Sequence, residues 1–206
     1  LLEWAVEEPG LFEYIFPVAT NAKHSSWGIA FNASQRMCIE ADATWKEKTP
    51  GAGIEGMKAA RSIALISYRH YETYHASQGE HQNEKIEHYK SESYQKYQGE
   101  KLARRFNAFS YYFLSKGMDS HNVGRGRTSV ENALEQIEAN TLSIGIVTDI
   151  LFPVSEQQFL ADHIPNAKFS SIMSLYGHDG FLLEFEQIEK LITDFLVSKK
   201  KTKVLN

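Results

Sequence analysis

The chain of 206 residues is 42% hydrophobic and 23% charged, with a net charge of −4. That balance suits a globular protein with a real core and one or two domains, and it gives no general reason to expect nucleic acid or an anionic membrane as partner. No apolar run approaches the roughly 18 residues of a membrane span, no signal peptide is visible, and the single cysteine, Cys38, cannot form a disulfide within the chain. A cytoplasmic location is the expectation.

In chain order, the stretch from Leu1 to Glu8 reads as a helix already under way, stopped by Pro9-Gly10 with no capping residue before it, as if residues were missing upstream. Residues 11–20, Leu-Phe-Glu-Tyr-Ile-Phe-Pro-Val-Ala-Thr, are predicted as a buried strand, with Pro17 near its end. The middle, residues 25–138, is helix-rich and tyrosine-rich. A helix is predicted over 56–74, loop over 75–88, and a further helix through Tyr94, Tyr97, Leu102 and Phe106. Cys38 falls on a predicted helix without a thiol-activating motif. Then come a strand over 142–148, a helix over 155–163, a strand over 168–173 and an amphipathic helix over 182–197. That alternation implies parallel strands and an α/β core, residues 1–24 with 139–206, split by a helical insertion, residues 25–138. The lysines from Lys199 to Lys203 read as a frayed, solvated terminus.

Two residues fall where ligands gather in open α/β sheets, beyond the carboxyl ends of parallel strands. Asp149 ends the strand over 142–148, and His178 follows the next strand inside Tyr-Gly-His-Asp-Gly (residues 176–180). A carboxylate there can fix the imidazole tautomer and stabilise the imidazolium, and acid before histidine is the chain order of α/β-hydrolases. The plainer alternative is that Asp149 caps the next helix and His178 fills a turn. Arg61 and Tyr68, seven residues apart on one predicted helix, point the same way after two turns. They suit a carboxylate, or they are a surface arginine beside a core tyrosine. No metal is expected: the sequence has no His-x-x-x-His and no Cys-x-x-Cys, and His70 and His75 lie off a common helical face.

Several stretches, in order, resemble the homoserine O-acyltransferase family of the α/β-hydrolase fold. They include Leu2-Glu3-Trp4-Ala5, Trp27 to Asn32 leading to Gln35-Arg36, Gly56 through Arg61 to Tyr68, and Glu92-Ser93-Tyr94 with Tyr97 to Lys101. Arg105 to Ala108, Arg125-Gly126-Arg127, Thr148 to Pro153 and Tyr176 to Glu184 continue the series. Two positions depart from the family's usual pattern. Asn107 stands where an aspartate is usual, and Asp42-Ala43-Thr44-Trp45 where Asp-Pro often precedes tryptophan.

The resemblance implies an α/β-hydrolase core with a helical lid, and Asp149 and His178 as triad positions. It implies Arg61 and Tyr68 as partners of the homoserine carboxylate, and Asp179 as partner of its ammonium. The nucleophilic serine would lie about six residues before Leu1, in a Gly-x-Ser-x-Gly turn, so the sequence resembles the C-terminal part of such an enzyme. The implied reaction is acyl transfer from acyl-CoA, acetyl-CoA being the expected donor, to L-homoserine in methionine biosynthesis. No tightly bound cofactor is expected, and a homodimer formed through the lid helices is. The alternatives are an esterase, a serine-type or succinyl-type acyltransferase on the same fold, or a non-catalytic subunit.

Overall fold

The computed structural model describes residues 1–47, 49–80 and 84–204, with the side chains of 202–204 outside that description. The elements in chain order begin with α1 (Leu2–Glu7), β1 (Tyr14–Ile15), α2 (Ser26–Glu40) and α3 (Ile54–Tyr68). There follow α4 (Tyr71–Gln78), α5 (Lys90–Ala103), α6 (Ala108–Asp119) and α7 (Val130–Leu134). The chain then runs through β2 (Asn140–Ile146), α8 (Val154–His163), β3 (Ala167–Ile172), α9 (Gly180–Leu183) and α10 (Phe185–Val204). They form two compact units, one of Leu1–Lys23 with Asn122–Asn206 and the other of His24–His121.

Among the described residues the sheet unit has three parallel strands in the order β1-β2-β3, β2 pairing with β3 from Thr141↔Ala167 to Ile146↔Ile172. Because side chains alternate along a strand, β2 divides into two faces. Leu142, Ile144 and Ile146 pack with Ile172 and Phe195, and Ile188, Leu191 and Ile192 of α10 close over them. Those α10 positions follow the spacing of a helix that buries one stripe. Thr141, Ser143 and Gly145 take the other face, where Ser143 Oγ donates to the Gln157 carbonyl of α8 at 2.9 Å. The small residues let α8 come close. A second cluster joins Leu2, Ala5 and Val6 of α1 to Val123, Ala133, Leu134, Ile137 and Leu160.

Several boundaries differ from those read in the sequence. The strand expected over 11–20 pairs only at Tyr14–Ile15 and returns as a single bridge from Val18 to Ile144, with Pro17 between them and Ala19 at φ 46°. The helix expected over 56–74 stops at Tyr68, since Arg69 and His70 are extended, and α4 starts afresh and runs through His75 to Gln78. The loop expected over 75–88 therefore begins later, and its residues 81–83 lie outside the described residues. Phe106 falls beyond the end of α5, in the turn before α6. The helix expected over 182–197 is broken at Glu184 (φ −92°, ψ 44°), and α10 continues to Val204, so the lysine-rich tail is helical rather than frayed. Residues 122–138, read with the helical insertion, pack in the sheet unit through Val123, Ala133, Leu134 and Ile137.

The helical unit packs around Ile39, Met57, Ala60, Leu102 and Ala108, with Cys38, Trp45 and Tyr111 against them. Asn107 caps α6, its Oδ1 accepting from Ser110 N at 2.8 Å. Asparagine and aspartate cap about equally well, so an aspartate at this position would serve the same cap. Asp42 ties its own turn to α3, with Oδ1 accepting from Thr44 N and Oγ1 and Oδ2 from Gly56 N. These bonds hold its carboxyl below the usual range.

Candidate active site

Beyond the carboxyl end of β2 the chain turns at Val147 and Thr148 and reaches Asp149, whose side chain is fully buried. One carboxylate oxygen is used locally, Oδ1 accepting from Leu151 N at 2.8 Å and Phe152 N at 2.9 Å. The other, Oδ2, lies 2.7 Å from His178 Nδ1. Buried carboxylates need such partners, and three on one group also hold its orientation. With Nδ1 engaged by the carboxylate, Nε2 is the nitrogen through which the ring can take up and return a proton.

The loop carrying His178 is built from the end of β3. Thr148 Oγ1 donates to the Ser174 carbonyl at 2.5 Å, tying the two strand ends together, and Tyr176 N donates to Ser174 Oγ at 3.0 Å. Gly177 opens a short 3-10 turn, Gly177–Asp179, at φ 59°, the left-handed region that glycine enters without a steric penalty. A Cβ on Gly180 would stand 2.8 Å from the Ser174 side chain and 3.3 Å from Ile146, so this glycine lets the loop close onto β2. The glycines flanking His178 and Asp179 are what place the imidazole.

Two aromatic rings hold the imidazole as well. Phe152 stacks at 5.1 Å between centroids and 28° between planes, and Phe181 sits at 5.1 Å and 54°. Their role was not read from the sequence, where Phe152 follows a strand and Phe181 just precedes the predicted amphipathic helix. The nearest signal was the position of each, three residues after Asp149 and after His178. Asp179 follows the histidine in the turn and is half-buried.

The other two predicted residues lie in the helical unit. The Arg61 guanidinium stands 5.5 Å over the Tyr68 ring, a cation–π contact two turns along α3. Tyr68 borders a cavity of about 350 Å³, also lined by Asn32, Gln35, Arg105 and Tyr111. The Tyr111 hydroxyl donates to Gln35 Oε1 at 2.5 Å, and burial is the first cause pushing that phenol's pKa up. Behind the cavity, Asp119 accepts from Asn32 Nδ2 at 2.8 Å and pairs with Arg36 at 2.6 Å, while Asn32 Nδ2 stands 3.3 Å from His24 Nε2. Among the described residues no group of three or more histidine, cysteine or acidic side chains could hold a metal, and no helix is long and apolar enough to cross a membrane.

A parallel sheet with an acid after one strand and a histidine after the next defines a protein of the α/β-hydrolase fold. Two solved structures share that fold. A homoserine O-acetyltransferase from Bacillus anthracis superposes with a TM-score of 0.86 at 22% identity, over 94% of this chain and 55% of that one. Esterase E22 does so with a TM-score of 0.84 at 17% identity, over 95% of this chain and 57% of that one. In sequence, the homoserine O-acetyltransferase of Cyclobacterium marinum is 48% identical over 194 residues, 94% of this chain and 55% of the relative. This chain belongs to the homoserine O-acyltransferase family, whose C-terminal portion it matches. It spans about half the length of the curated relatives it resembles, and no family model matches it.

Proposed function

We propose that the complete protein transfers an acetyl group from acetyl-CoA to the hydroxyl of L-homoserine by a ping-pong mechanism. The observation carrying this reading is the 2.7 Å pair of His178 Nδ1 and Asp149 Oδ2, at the ends of two adjacent parallel strands. Family membership makes homoserine the acceptor to test first. The nucleophilic serine is assigned to the part of the family's length that this chain does not span.

In the first half-reaction His178 Nε2 takes the serine proton as the serine oxygen attacks the thioester carbonyl. The C–S bond breaks, the proton passes to the departing thiolate, and an acyl-serine remains. In the second, Nε2 takes the proton of the homoserine hydroxyl, whose oxygen attacks the acyl-serine. The ester bond to serine breaks, and the proton returns to the serine oxygen. Asp149 keeps Nδ1 protonated and stabilises the imidazolium throughout. Arg61 and Tyr68 receive the substrate carboxylate, and Asp179 its ammonium, so that both charged ends hold the hydroxyl in place. No tightly bound cofactor is needed for these steps. We place the reaction in cytoplasmic methionine biosynthesis and expect a homodimer formed through the helices of residues 24–121.

Thiol release from acetyl-CoA by the full-length protein, with and without homoserine, tests the reading. Release that homoserine does not accelerate would point instead to an ester hydrolase, which the same histidine–aspartate pair would serve. Arg61→Ala should then reduce transfer to homoserine at least about tenfold more than hydrolysis of p-nitrophenyl acetate. Equal losses in both reactions would remove Arg61 from the carboxylate site.

A further inference from the structure

The ladder of β2 and β3 reaches as far as Val147 N, which donates to the Ile172 carbonyl at 3.0 Å. From there the chain runs two residues to Asp149 and six to His178. The register of the strands alone therefore does not set the separation of acid and imidazole. Each partner is first fixed on its own side. Asp149 Oδ1 is held by the amides of Leu151 and Phe152. The loop of His178 closes around buried Ser174, whose Oγ accepts from Tyr176 N at 3.0 Å and whose side chain lies against Gly180.

Thr148 joins the two sides beyond the ladder, its Oγ1 donating to the Ser174 carbonyl at 2.5 Å. The donor stands next to the acid in the chain, and the acceptor belongs to the residue on which the histidine loop closes. Branching at Cβ leaves threonine few side-chain rotamers, so the hydroxyl keeps its direction. A main-chain carbonyl follows only the loop that carries it. All these groups lie in the sheet unit.

We infer that Thr148 is a positioning residue for proton transfer. Through Ser174 it holds the loop of His178 where Nδ1 meets Asp149 Oδ2 at 2.7 Å, which gives Nε2 a fixed direction. The inference rests on the proton-transfer role given to His178 above. It assigns a task to a side chain that is itself no part of the proposed proton path.

The test uses the full-length protein, with kcat referred to the folded fraction from thermal melts. Thr148→Val exchanges the hydroxyl for a methyl group. It should lower kcat about tenfold for transfer to homoserine and for hydrolysis of p-nitrophenyl acetate alike, with KM for homoserine within about twofold. Thr148→Ser keeps the donor and should stay within about threefold of the parent in both reactions. Should Thr148→Val not fold, Ser174→Ala, which removes the acceptor for Tyr176 N and adds no volume, carries the same expectation. Proton NMR of the resting protein reads the geometry without turnover. The Nδ1 proton of His178, identified as the low-field signal missing in Asp149→Asn, should broaden or vanish in Thr148→Val and persist in Thr148→Ser. A threonine that only stabilised the fold would lower the melting temperature and leave that signal in place. An intact signal in Thr148→Val, no such signal in the parent, kcat within about twofold of the parent, or a rise in KM for homoserine at constant kcat would each overturn the assignment. If the protein transfers nothing to homoserine, the functional reading fails, and loss of the signal in Thr148→Val still supports the positioning role.

Discussion

At the scale of single residues, Asn in place of Asp149 separates two tasks that the carboxylate combines. The amides of Leu151 and Phe152 need an acceptor, so the carbonyl of Asn would stay at the Oδ1 position. Its NH₂ would then face His178 Nδ1 and donate to it, leaving the proton on Nε2, where a base must be unprotonated. Asp149→Asn should therefore keep its unfolding midpoint while kcat for thiol release falls about 10³-fold to 10⁴-fold. Stopped assays and thermal melts of the same samples check both halves, and retention of activity within about tenfold would remove Asp149 from the proposed mechanism. The pair could be anticipated because each residue follows a recognisable strand, Asp149 at once and His178 after a short loop. The rings of Phe152 and Phe181 around the imidazole could not, since their packing depends on a loop path that local pattern does not encode.

At the scale of elements, β2 shows how much an apolar run conceals. Leu142 to Thr148 reads as a buried strand, but the different demands of its two faces appear only with α8 and α10 in place. A Cβ on Gly145 would stand 2.9 Å from Val154, 3.0 Å from Gln157 and 3.2 Å from Phe169. Gly145→Val should cost about 1–3 kcal/mol by overpacking, read as a lower urea midpoint with an unchanged slope. An unchanged midpoint would mean that α8 moves away without penalty. The break between α9 and α10 had no comparable signal. Phe181, Leu182, Leu183 and Phe185 are apolar on both sides of Glu184, so periodicity continues where the backbone does not. The stop of α3 at Tyr68 is similar, because no glycine or proline marks Arg69 or His70.

At the scale of the whole chain, stability has a pH dependence that originates in the helical unit. His24 is buried in the helical unit, and its pKa is lowered from the usual 6.5, first by desolvation. Asp119 opposes that shift, and His121 adds to it. A histidine whose folded pKa lies below its unfolded value leaves the unfolded chain holding more protons in that interval. Stability is then fully present above about pH 6.5 and declines as pH falls toward the folded pKa. Comparing unfolding at pH 7.5 and 5.5, the parent should lose more stability than His24→Asn. Parallel losses would place the acid sensitivity elsewhere. The alternation of strand and helix after residue 139 was enough to anticipate the α/β core. The end of the helical unit was harder to see, because the turns and the short α7 between Val123 and Ile137 continue a strandless stretch yet pack with α1. Helical pattern reports local conformation and not the core an element joins.

The turn at Asp149 also supplies a spectroscopic handle. The backbone amides of Leu151 and Phe152 donate to the same carboxylate that holds the imidazole. Their proton and nitrogen chemical shifts should follow the charge shared between Asp149 and His178, even though neither amide lies on the reacting side. In a ¹⁵N-labelled sample, two ordinary loop signals would report the ionisation of the pair directly, without a substrate or a chromophore.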